Sequence, residues 1–166
     1  AENFKPLIPD AVKGGDVLFV FKNNALDMHK YAKTAALAAR AAHLQGKFWD
    51  FHDKLFDNMR VLKDDDTYTG IAAGLDLDAA RFASDRASDA VVKRVEAESA
   101  IAFELEAKGT PSFFINGKKQ VGWGSAQGLA RMIDREKAAV EKLMAGGKSR
   151  EDALKERITL NSEKPE

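Results

Sequence analysis

The sequence predicts an α/β fold carrying an inserted, all-helical segment, and three observations predict it. Residues 16–22 (DVLFVFK) form a short apolar run rich in Val and Phe. Residues 113–123 hold two strand-forming stretches around Asn116-Gly117. Between the two, residues 28–107 show helical rather than alternating periodicity. Nearly continuous apolar runs of this length fit a strand covered on both faces, and Asn-Gly between such stretches is the strongest short-range hairpin signal.

Taken in chain order, residues 2–12 have a weak helical pattern through Phe4, Leu7, Ile8 and Val12, broken by Pro6 and Pro9, as expected of a kinked helix. Gly14-Gly15 then leads into the strand at residues 16–22. Residues 28–44 are Ala-rich, with Tyr31, Ala35, Leu37, Ala38, Ala41 and Leu44 near one face and Gly46 as the stop. Residues 47–59 place Phe48, Phe51, Leu55 and Met59 at helical spacing beside Trp49 and Phe56, a second core helix. Asp64 to Thr67 supply caps for a piece ending at Gly74, Asp78 caps a short helix around Phe82, and Ser88 opens a longer one ending at Gly109. After the hairpin, Ser125 caps a long helix closed by Gly146-Gly147. Residues 149–160 form a last amphipathic segment, and the polar tail from Asn161 is expected to fray.

A chain of 166 residues, 45% hydrophobic and 31% charged, is long enough to bury a real core. The 26 basic residues balance the 26 acidic ones, without a cluster of Lys or Arg interleaved with aromatics, so nucleic acid is not an expected partner. No apolar run approaches the ~20 residues that cross a bilayer, and the N-terminal residues read as a soluble chain or a mature form. No membrane partner is expected. There is no cysteine, which excludes disulfides, thiolate metal sites and a cysteine nucleophile within this chain. His29, His43 and His52 are dispersed, and Asp64-Asp65-Asp66 lacks the alternation, Gly and closing Glu of a calcium loop, so no metal and no other cofactor is expected. The aromatics of residues 48–56 are assigned to packing; Trp123, between two glycines, stays open between packing and partner contact.

Gly109-Thr110-Pro111-Ser112-Phe113-Phe114-Ile115-Asn116-Gly117 resembles the signature opposite the active site of DsbA-like thiol:disulfide oxidoreductases. Residues 21–29 (FKNNALDMH) are similar to that family's strand-exit loop, and residues 45–56 (QGKFWDFHDKLF) to its inserted helical domain. The resemblance runs from about Asn3 to Leu143. It implies a thioredoxin-like fold with an inserted all-helical subdomain: residues 1–27 and 108–145 as the thioredoxin-like part, 28–107 as the insertion, and 146–166 as a C-terminal helix and polar tail. It also implies a cis bond before Pro111, and a substrate-binding role for Gly109, Thr110 and Pro111.

The departure lies at the start, where the family has a central strand and Cys-x-x-Cys at a helix N-terminus. Neither is present here, so no catalytic residue is assigned. Thiol exchange needs a thiolate, and the chain as written is redox-inactive. The expected function is that of a truncated disulfide oxidoreductase acting on protein substrates; the alternative is a redox-dead module that holds peptides or a partner in the thioredoxin-like groove. The resemblance implies a periplasmic or secreted location. The vacant strand position is expected to be filled by a separate N-terminal fragment, by a strand-swapped second copy, or by residues 157–160 folding back.

Overall fold

The computed structural model describes residues 12–59, 61–62, 65–122 and 124–163. The expected kinked helix at residues 2–12 lies outside these except for Val12, as do Asp64 and Trp123. Seven helices and one hairpin make up the regular structure among the described residues: α1 (Ala32–Leu44), α2 (Phe48–Asp57), α3 (Asp65–Gly74), α4 (Ala79–Ala87), α5 (Asp89–Glu104), β1 (Ser112–Ile115), β2 (Lys118–Val121), α6 (Ala126–Ala145) and α7 (Arg150–Ser162). They fall into two compact units, one of Phe21–Lys108 and one of Ala1–Val20 with Gly109–Glu166.

The predominantly helical content corrects the α/β expectation in one element. Residues 16–22 form no strand, and β1–β2 is the only sheet among the described residues. Exposure still alternates there, with Leu18 and Val20 outward and Val17 and Phe19 half-buried. Composition supplies β preference, but a strand exists only where a neighbour completes its ladder. Among the contacts of this segment are those of Asp16, whose carboxylate accepts from Lys137 Nζ at 3.1 Å and whose carbonyl accepts from Arg150 Nη2 at 3.2 Å. Residues 157–160 do not fold back as a strand either. They lie inside α7, where Asn161 and Ser162 extend the helix past the expected fraying point.

The helical unit is organised around α1. Ala36, Ala38, Ala39, Ala41 and Ala42 are all buried, so α1 is enclosed on more than the single face that periodicity indicated, and Leu44 is exposed. Small side chains permit this, because helices approach closely where no bulk holds them apart. Phe51 and Leu55 of α2, Tyr68 and Ala72 of α3, Leu77 and Phe82 complete the cluster. Phe51 and Phe82 meet at 5.5 Å between ring centroids. The other aromatics of α2 depart from the packing assignment: Trp49 and Phe56 are exposed to a substantial degree, in a cluster with Phe21, Phe48 and His52.

Asp78, Ser88 and Ser125 cap helix starts as expected, whereas α3 begins at Asp65, inside the run expected to cap it. Asp78 accepts from Arg81 N–H at 2.8 Å. Ser88 Oγ closes α4 by donating to the Asp85 carbonyl and opens α5 by accepting from Val91 N–H. The stops differ. Gly74 is still helical and Gly109 lies beyond the end of α5; the left-handed residues are Asp76 at φ 56° and Glu106 at φ 53°. Each sits in a Schellman closure, with Leu77 N–H on the Ala72 carbonyl and Ala107 N–H on that of Ala102. A non-glycine residue in this conformation costs about 1–2 kcal/mol. Asp76→Gly is therefore expected to raise stability by about 0.5–1 kcal/mol after glycine's extra unfolded-state entropy, read as a higher urea midpoint.

The segment entering α1 is fixed by a buried carboxylate. Glu98 Oε2 accepts from the backbone N–H and Nδ2 of Asn23 at 3.0 and 2.7 Å, and Oε1 accepts from Arg94 Nε at 2.8 Å. Asn24 Nδ2 donates to the Ala107 carbonyl at 2.8 Å. These bonds tie residues 23–24 to α5 and to the turn that follows it.

Candidate functional site

Gly109, Thr110 and Pro111 form the entry to β1. The Thr110–Pro111 peptide bond is cis, and both residues are exposed. Two bonds shape the entry: Ser112 Oγ donates to the Gly109 carbonyl at 2.6 Å, and Gly122 N–H donates to the Pro111 carbonyl at 2.8 Å.

The second bond sets the parity of the hairpin. β1 and β2 pair antiparallel with Phe113 opposite Gln120 and Ile115 opposite Lys118. Hydrogen-bonded and non-bonded pairs alternate in an antiparallel ladder. Counting from Pro111 and Gly122, Phe113 and Ile115 turn their backbone groups toward β2, while Ser112 and Phe114 turn theirs toward the opposite edge. No strand occupies that edge among the described residues. An edge of this kind is a template for another extended chain. On the hairpin, Phe113 and Gln120 join Leu129 and Met132 of α6 around a cavity of about 150 Å3.

The tip of the hairpin is held from α7. Asn116 and Gly117 have φ of 46° and 85°, the left-handed pair that a two-residue turn demands. The Asn116 carbonyl accepts from Asn161 Nδ2 at 2.9 Å, and Asn161 Oδ1 accepts from Arg157 Nη2 at 3.1 Å. Arg157 pairs with Glu136 of α6 through two bonds, Nε to Oε2 at 3.0 Å and Nη2 to Oε1 at 2.7 Å. Burial raises the Glu136 pKa, but the hydrogen bond and charge of Arg157, with bonds from Asn161 and Asn116, hold it below the ordinary value. A Cβ at Gly117 would stand 2.7 Å from the Ile158 carbonyl oxygen. Gly117→Ala is thus opposed both by its φ and by the backbone of α7, and is expected to cost about 2 kcal/mol or more, seen as a lower thermal midpoint of the hairpin unit.

Sequence reasoning located the entry residues and the turn but not Glu136, Arg157 or Asn161. Arg157 and Asn161 are one helical turn apart, the only local signal of their alignment. Among the described residues no group of three metal-ligating side chains occurs, and no helix is long and apolar enough to cross a membrane.

A family model described as DSBA-like thioredoxin domain matches residues 11–134. The chain is 35% identical over 121 residues to the Na(+)/H(+) antiporter NhaA of Herminiimonas arsenicoxydans, covering 73% of this chain and 19% of that protein. It is 39% identical over 127 residues to Na(+)/H(+) antiporter NhaA 1 of Mycolicibacterium vanbaalenii, covering 73% and 20%. It is 34% identical over 155 residues to NhaA 1 of Salinispora arenicola, covering 91% and 22%. The chain thus spans about a fifth of the length of these relatives. No solved structure matches it.

Proposed function

The chain belongs to the DSBA-like thioredoxin domain family, and on that premise we propose that it is a redox-inactive member that captures extended polypeptide along the outer edge of β1, beside Pro111. The observation that carries this reading is the outward parity of Ser112 and Phe114 next to an exposed Thr110-Pro111. Main-chain groups on a sheet edge give affinity for an added strand, and alternate side chains give selectivity. The 166 residues contain no cysteine, so no dithiol chemistry takes place within them. By analogy with its relatives, which are named as Na(+)/H(+) antiporters, the domain works beside a membrane protein of that kind. The family resemblance points to the periplasmic or secreted side.

A second reading draws on the same edge. A strand bearing Cys-x-x-Cys, from a separate segment, would complete the sheet there and restore disulfide exchange on protein substrates. Thiol titration and intact mass of the protein isolated from its source separate the two readings, since only the second requires a cysteine-bearing segment to travel with the chain.

The first reading is tested by fluorescence anisotropy with labelled, reduced and carboxamidomethylated ribonuclease A, an unfolded chain without thiols. Saturable binding is expected. Phe114→Pro should weaken it at least tenfold, about 1.4 kcal/mol, because proline removes an outward N–H while leaving the inner ladder bonds in place; Phe114→Ala should weaken it less. Absence of saturable binding, or equal binding by the proline variant, overturns the reading.

A further inference from the structure

We propose that α7 is a positioning clamp for β1, acting through the relay Glu136–Arg157–Asn161–Asn116 to hold the hairpin tip and thereby the outer edge in binding geometry. The inference deepens the polypeptide-capture reading and rests on it for its functional half.

A two-stranded hairpin is marginal by itself, so the geometry of β1 depends on what backs it. Here α6 packs against β1 and α7 against β2. The family match ends at residue 134, before α7 begins at Arg150, so the clamp lies beyond the matched span. Its attachment is nonetheless specific. Ala153 is fully buried, Glu136 is 3% exposed, and the guanidinium meets that carboxylate in a two-bond fork. Such forks fix orientation as well as distance. From Arg157 the alignment passes to Asn161, and from there to the Asn116 carbonyl at the turn. Gly117 allows the α7 backbone to lie against the turn at a distance that a side chain would prevent. Among the described residues the other ion pairs of α7 are Lys155 with Glu151, within the helix, and Lys148 with Glu156, and neither involves the hairpin.

The relay acts at the tip, whereas the mouth of the hairpin is held by the Gly122–Pro111 bond. Loss of the relay should therefore loosen the ladder from the tip. Phe114, nearer the tip than Ser112, would lose its alignment first. Neither Arg157 nor Asn161 is asked to touch the bound chain, so both are positioning residues.

The test is amide hydrogen exchange on the full chain, with Arg157→Met and with the milder Asn161→Ala, which removes the links to Asn116 and Arg157 but leaves the Arg157–Glu136 fork in place. In both variants the amides of Ile115 and Lys118 should exchange at least tenfold faster. Gly122 should change by less than threefold, and the amides of α1 and α2 in the helical unit should keep their protection. Affinity for the alkylated ribonuclease probe should fall at least tenfold in Arg157→Met, with binding partly retained in Asn161→Ala. Unchanged protection at Ile115 and Lys118, or a loosened hairpin with undiminished affinity, overturns the clamp. If the unmodified chain binds no probe, the capture reading fails, while the exchange pattern still decides whether α7 clamps the tip.

Discussion

Phe51→Ala is expected to destabilise the helical unit by about 3–5 kcal/mol, the range for emptying a large buried aromatic site. Phe51 is fully buried, and its ring lies 5.5 Å from that of Phe82. The neighbours cannot collapse into the space, since α1 contributes alanines that have no further side chain to extend. Domains of this size are stable by only about 5–15 kcal/mol, so the loss removes a large share. Urea titration followed by the fluorescence of Trp49 in a Trp123→Phe background should show the midpoint falling steeply. A shift worth less than about 1 kcal/mol would mean that the alanine-rich centre repacks. Phe51→Leu, which keeps most of the volume, should recover more than half of the loss.

Glu98→Ala is the second large expected effect, about 3 kcal/mol. It leaves the buried Asn23 N–H and side-chain amide without their acceptor and Arg94 without its partner, and unsatisfied buried donors cost about 1–3 kcal/mol each. Burial works to raise the Glu98 pKa, but the bonds from the Asn23 backbone and side chain, with the hydrogen bond and charge of Arg94, hold it below 4.5. With the folded value below the unfolded one, the carboxylate's contribution is complete above the unfolded pKa and is lost as pH falls through the folded one. Thermal midpoints of the unmodified chain should thus be level near neutrality and drop in acid below about pH 4.5. Glu98→Gln should be less stable at neutral pH and show a shallower acid limb. Equal acid slopes would remove Glu98 from this role. Glu136, lowered in the same direction, contributes to the slope that remains.

Local chemistry was the legible part of this molecule. Asp78, Ser88 and Ser125 cap the helices they were assigned, and Asn116-Gly117 turns the hairpin, because each signal resides within three or four residues. The helix stops were half legible: Gly46 and Gly147 are left-handed where expected, but Asp76 and Glu106 take the left-handed positions that composition assigned to Gly74 and Gly109. The strand at residues 16–22 was over-read for a different reason: pairing belongs to two segments, and only one of them carries the signal. The same holds for the buried carboxylates. Asn23 and Glu98 are 75 positions apart and Glu136 and Arg157 are 21 apart, and no periodicity links either pair. At the candidate site, the motif located Gly109, Thr110 and Pro111, but the direction in which Ser112 and Phe114 face came only from the Gly122–Pro111 bond.

Leu18 and Val20 are 87% and 56% exposed within an uncharged, proline-free stretch of high β propensity, and that has a practical consequence for handling the protein. Such segments are where chains add to one another into insoluble assemblies. Turbidity on warming should therefore rise with protein concentration before the helices melt. A single lysine in place of Leu18, on the outward side of the alternation, should act as a gatekeeper and delay the onset, with the far-UV signal of the folded protein left as it was.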